Sequence, residues 1–248
     1  MREDPAAVAQ RPSAVANDQA AGLRRLFDVG PRLLPVVGAR DDETTVALAH
    51  LAQALARAGE RTLVLDCARA QIAAALGLRA RFDLAHLARG ECTPAQAVLD
   101  GGAGLAVVAA ARAAACARGD RGALLAPLAG RLAVFDLVVL ALQATQCALA
   151  GGGEALLVLS PRRERWAQQF AALRDSGDIA AFRLLFPAMD ESAAASLCRE
   201  LAAASARRFG IALRYGGAVR CARDWSRVAQ AAAGWELARL PRRLARTI

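Results

Sequence analysis

The stretch RLLPVVGARDDETTVALAHLAQALARAGERTLVLD, Arg32 to Asp66, decides the fold. It opens with a short apolar run, RLLPVVG, that reads as a buried strand ending in Gly38. Pro35 is an awkward member, because proline donates no ladder hydrogen bond. From Glu43 to Ala58 the apolar positions Val46, Leu48, Leu51 and Leu55 recur at helical spacing, and Gly59 closes the helix. RTLVLD, Arg61 to Asp66, is a second strand with a carboxylate at its end.

The same alternation runs outward through the chain. A helical segment from Ala70 to Leu76 and two short helices between Phe82 and Gly101, broken at Gly90, precede the strand Leu105–Ala110. A helix over Gly122–Leu132 leads to FDLVVLAL, Phe135 to Leu142, the clearest buried strand. Strand Glu154–Ser160, helix Glu164–Asp175, strand Phe182–Phe186, helix Glu191–Arg208 and strand Ile211–Tyr215 follow. Trp225–Ala233 and Trp235–Arg246 close the chain as helices. Continuous apolar strands alternating with helices predict an α/β domain: a doubly wound, mostly parallel sheet covered by helices on both faces. GGAG (Gly101–Gly104) and GGG (Gly151–Gly153) each precede a strand and read as turns. Residues 1–30 read as a tail and helical arm, and 31–248 as a single domain with no internal repeat or linker.

Composition narrows the chemistry. The chain has 248 residues, a net charge of +9 and 32 basic residues, all of them arginine. Arginine and alanine richness follows from a GC-rich genome; the alternative is attraction to an acidic partner. In either case no mechanism that needs a lysine is open to this chain. Its six cysteines form no C-x-x-C pair and the two histidines, His50 and His86, stand far apart, so no metal site is expected. No apolar run reaches transmembrane length and the N-terminus lacks a secretory signal, which predicts a cytoplasmic protein.

Three stretches carry a family resemblance: NDQAAGLRRLF (Asn17–Phe27), ALAHLAQALARAGERTLVLD (Ala47–Asp66) and GLRARFDLAHLARGECTPAQAVLDGGAGLAVVAA (Gly77–Ala110). Together they resemble the MinD/ParA branch of P-loop ATPases, and most closely its FlhG (FleN) members, regulators of flagellar number and placement. The resemblance implies a nucleotide loop between the first strand and first helix, of the form K-G-G-x-G-K-[ST]. Its glycines let backbone N–H groups converge on phosphates, and its lysines neutralise their charge.

The departures are concentrated there. Ala39 stands where the signature lysine belongs, Arg40, Asp41 and Glu43 at glycine positions, and Thr44 at the second lysine; only Gly38 and Thr45 match. Asp41, Asp42 and Glu43 would crowd the phosphates with carboxylates. At ~4 Å and an effective dielectric near 20, each such contact costs about 4 kcal/mol. That is set against roughly 6–8 kcal/mol for ordinary ATP affinity. At a helix N-terminus the same acids suit the macrodipole. Past Asp66 the family's second carboxylate is replaced by Ala68, its metal-associated aspartate by Ala141, and its adenine-reading asparagine by Pro187 and Ala188. The resemblance with these losses implies a non-catalytic pseudo-ATPase, with no cofactor and no ATP-driven dimerisation, hence a monomer. Two rivals remain open: a weak ATPase in which Arg40 substitutes for lysine, and a nucleic-acid-binding ParA relative, although nucleic acid is not the expected partner.

In the arm, Asn17 or Asp18 can cap a helix start, and Ala20, Leu23 and Phe27 share one stripe with Arg24 and Arg25 elsewhere. About eleven residues are too few for a stable isolated helix, so the arm must order against its own domain or a partner. The FlhG resemblance implies the partner: an FlhF-like GTPase. There Gln19 would orient the attacking water, Asp18 would orient the arm beside Ala20, Leu23, Leu26 and Phe27 would anchor it, and Arg24 would make a polar contact. Flagellar assembly proteins or a transcriptional activator are further partners in this reading. At the other end Leu237, Leu240 and Leu244, with Arg243, suit a basic amphipathic helix lying peripherally on the inner membrane. Pro241 interrupts that pattern, and a core-docked helix is the alternative.

Overall fold

The computed structural model describes residues 30–38, 41–69, 71–174 and 179–241. The arm residues Asp18, Gln19, Ala20, Leu23, Arg24, Leu26 and Phe27, expected to contact a partner, lie outside the described residues, as do Ala39, Arg40, Arg243 and Leu244.

The chain folds around one eight-stranded sheet. Its strands are β1 (Arg32–Gly38), β2 (Thr62–Asp66), β3 (Leu99–Gly102), β4 (Leu105–Ala109), β5 (Leu137–Leu142), β6 (Glu154–Val158), β7 (Ala181–Pro187) and β8 (Ala212–Val219). They lie in the order β3-β4-β2-β5-β1-β6-β7-β8, and every neighbouring pair is parallel except β3 and β4. The expected parallel α/β architecture is therefore present. β1 sits between β5 and β6, where strand order reverses, so its carboxyl end opens into a crevice.

Both faces of the sheet are covered. Over one pack α1 (Asp42–Arg57), α2 (Ile72–Ala75) and the late helix α9 (Ala222–Ala233). Over the other pack α3 (Leu84–Ala88), α5 (Ala111–Ala117), α6 (Arg121–Leu125), α7 (Trp166–Arg174) and α8 (Glu191–Phe209). A short α4 (Pro94–Ala97) leads into β3. α1 forms because Asp41 caps it, Asp42 and Glu43 occupy its first turn and Arg57 its last. Its Leu48, Leu51 and Leu55 are buried against the sheet, each worth about 1.5–3 kcal/mol.

Pro35 fits for a specific reason. Arg32 N donates to Asp136 O on the β5 side, so the N–H side of the odd-numbered β1 residues faces the other way. There β6 pairs only from Val36 onward, and nothing is asked of Pro35.

Several boundaries differ from the sequence reading. Gly101–Gly102 belong to β3 of a hairpin whose tight turn is Ala103–Gly104, both at positive φ (49° and 82°). The helix expected over Gly122–Leu132 stops at Leu125, because Pro127 and Gly130 (φ 79°) break it into tight turns. β8 runs on through Gly216 and Gly217 with a bulge, and α9 starts at Ala222 behind a Cys221–Asp224 capping box.

The largest correction is at the C-terminus. No helix begins at Trp235: residues 235–241 form an extended strap in which Arg239 bridges antiparallel to Arg32. Leu33 N donates to Ala238 O (2.8 Å) and Leu240 N to Pro31 O (3.0 Å). Leu240 is 2% exposed in one core layer, and Leu237 packs against the other. Leu240 is thus a core residue of the strap, while Leu237 is half-buried. Among the described residues no helix is long and apolar enough to cross a membrane.

Candidate functional site at the carboxyl end of the sheet

The crevice beside β1 is built by the turn into α1. Gly38 ends β1 so close to α1 that a Cβ there would lie 2.3 Å from Thr44 Cγ2, so any larger residue would force the buried Thr44 side chain to move. Asp41, 9% exposed, is the helix cap: its Oδ1 accepts from Thr44 N at 2.7 Å, and its main-chain oxygen accepts from Thr45 Oγ1 at 3.0 Å. Its other carboxylate oxygen, Oδ2, accepts from Arg165 Nη1 at 3.1 Å and from Ser160 Oγ at 3.3 Å. Burial alone would push this carboxyl up. The hydrogen bonds from Thr44, Arg165 and Ser160 outweigh it and hold the group below the usual carboxylate range.

The neighbouring acids are paired in the same way. Asp42 bridges to Arg69 at 3.1 Å and Glu43 to Arg162 at 3.0 Å. Each of the three loop carboxylates thus meets one guanidinium, from Arg165, Arg69 and Arg162. The positive end of α1 and its first-turn donors are met by the chain's own acids. Thr44, fully buried, leaves its Oγ1 without a partner.

The second station is equally self-contained. Asp66, buried at the end of β2, accepts from Arg69 N (3.2 Å) and Ile72 N (2.8 Å) and so caps the turn into α2. Ala68 O accepts from Gln143 Nε2, and Cys67 O from Gln146 Nε2 at 2.8 Å, which ties this turn to the end of β5. Ala141 is buried in β5, its carbonyl taken by Cys67 N at 3.0 Å. Burial, with the charges of Asp66 and Asp83 beside it, pushes the Cys67 thiol far up, so it is an inert core residue.

Two clefts flank these stations. One, about 460 Å³, lies between Gly38, the Gln143–Thr145 turn, Arg165 and the Gln168–Ala172 face of α7. The other, about 260 Å³, lies between Ser160–Trp166 and Phe186–Ala193, and contains Pro187 and Ala188. Trp166 anchors its wall through a 2.7 Å hydrogen bond to Ser160 O. No group of three or more His, Cys, Asp or Glu side chains among the described residues is placed to hold a metal.

Gly38, Asp41, Asp42, Glu43, Thr44, Thr45, Asp66, Ala68 and Ala141 therefore gather at one end of the sheet. Sequence reasoning missed the partners that complete the arrangement: Arg69, Arg162, Arg165, Ser160, Gln143 and Gln146. The run Pro161-Arg162-Arg163-Glu164-Arg165 at the end of β6 was the available signal, since β6 had to neighbour β1 at a switch point.

The fold is that of MinD-type P-loop NTPases. The MinC:MinD cell division protein complex of Aquifex aeolicus superposes with a TM-score of 0.60 at 12% identity, over 84% of this chain and 97% of that one. MinD of Pyrococcus horikoshii, complexed with Mg-ADP, gives 0.56 at 14% identity over 82% and 96%. Cobyrinic acid a,c-diamide synthase of Mycobacterium smegmatis, with a bound ATP analogue and magnesium, gives 0.56 at 16% over 82% and 94%. No family model matches the chain, and no curated protein does.

Proposed function

We propose that this protein is a nucleotide-independent regulator of the MinD/ParA type, FlhG-like, that works through protein contacts on flagellar number and placement. One observation carries the reading: the Asp41 carboxylate occupies the α1 N-terminus, bonded at once to Thr44 N, Ser160 Oγ and Arg165. A phosphate brought to that helix end would have to displace an internal ion pair and then face Asp42 and Glu43. The chain also has no lysine with which to hold it. With ATP chemistry set aside, the segment that keeps family character is the N-terminal arm. In this reading its Gln19 enters the active site of an FlhF-like GTPase and orients the attacking water. Leu23, Leu26 and Phe27 anchor it, with Arg24 as a polar contact.

A peptide of residues 1–30 tests the arm. It is expected to raise GTP turnover by an FlhF-like GTPase by about tenfold or more, and Gln19→Ala to abolish the gain. No stimulation, or full stimulation by the Gln19→Ala peptide, would contradict the assignment.

A further inference from the structure

Gly30, Pro31 and the 235–241 strap meet at the end of the sheet opposite the carboxylate-filled site. Arg32 N donates to Asp136 O at 2.9 Å, Leu240 N to Pro31 O, and Arg239 Nη1 to Gly30 O at 3.3 Å. Residues 30 and 31 therefore lie beside Phe135 and Asp136, the lead-in to β5. Against that lead-in opens a cleft of about 330 Å³ walled by Leu63, Val98, Leu128, Leu132, Val134 and Phe135. Val134 is 46% exposed, an uncommon level for a large apolar side chain in this protein. Arg131 stands at the rim, exposed and without an ion pair among the described residues.

We propose that this cleft is the docking site of the chain's own arm, with Phe27 inserted, Leu23 following on the same stripe and Asp28 facing Arg131. Reach selects the occupant. Phe27 precedes Gly30 by three residues, a span of at most about 10 Å, and β1 and β5 run about 4.8 Å apart. A segment tethered this closely meets the cleft at an effective concentration in the millimolar range, which no dilute partner matches. The volume is at the lower end of the ~300–1,000 Å³ found for small-ligand pockets, room for one aromatic and an aliphatic neighbour. The sign of the charge agrees: the acid next to Phe27 would meet the Arg131 guanidinium, which has no ion pair among the described residues.

The regulatory meaning rests on the proposed function. Docking withdraws the anchors that the GTPase would use, so the arm is held back until a partner competes for Phe27 and Leu23. Limited trypsin digestion of the full chain reads docking with no GTPase present. Cleavage after Arg24 and Arg25 is expected to be at least about tenfold slower in the full chain than in a peptide of residues 15–30. Val134→Arg, at an exposed position, and Phe27→Ala should each remove the protection, and the double variant should add nothing further. Thermal melting confirms that the variants are folded. Equal rates in chain and peptide, protection that survives Val134→Arg, or protection that fades on dilution as a second copy would give, each overturns the proposal. Failure here leaves peptide stimulation of the GTPase untouched, and failure of that stimulation leaves docking standing.

Discussion

Asp41 joins three demands in one side chain: it caps α1, it accepts from Ser160, and it neutralises Arg165. Asp41→Ala removes the cap, at a cost of about 0.5–2 kcal/mol. In a protein of this size 1 kcal/mol moves Tm by about 2–4 °C, so thermal melts should show a fall of a few degrees at neutral pH. The acid dependence follows from the lowered carboxyl. Its stability contribution is complete above its ordinary value of 3.8 and is lost as pH falls through the folded-state value below that. Between about pH 4 and pH 2, Tm of the native protein should therefore drop more steeply than that of Asp41→Asn. The acids themselves were legible in GARDDETT. Their partners were not, because Arg69, Arg162 and Arg165 lie 27, 119 and 124 residues away and only the sheet order brings them close.

The C-terminal strap shows how spacing can mislead at the scale of an element. Leu237 and Leu240, three apart, fit a helical stripe. In extended chain an odd offset sends two side chains to opposite faces, and here that lets Leu240 enter one core layer and Leu237 the other. Pro241 was the sequence signal against a continuous helix. Leu240→Ala should cost about 2–5 kcal/mol by leaving a cavity beside the start of β1. Denaturant unfolding would register it, whereas a membrane-facing leucine would lose almost nothing. β3 escaped notice for a different reason. LDGG is four residues long, has no β-branched side chain and pairs on one side only, so nothing local marks it as a strand.

For the whole molecule, the fold was readable because β1, β2, β4 and β5 are buried on both faces and appear as unbroken apolar runs. The candidate site was readable only as a departure from a pattern, since what fills it comes from distant arginines. The two ends of the sheet then divide the work: the carboxyl end is sealed by its own ion pairs, and at the amino end Gly30 and Pro31 meet the strap residues Ala238–Leu240. Titration calorimetry with Mg-ATP decides whether the α1 N-terminus still accepts a nucleotide. No binding heat is expected up to millimolar nucleotide, with the native protein as inert as Asp41→Asn. Micromolar affinity for Mg-ATP in the native protein would contradict it.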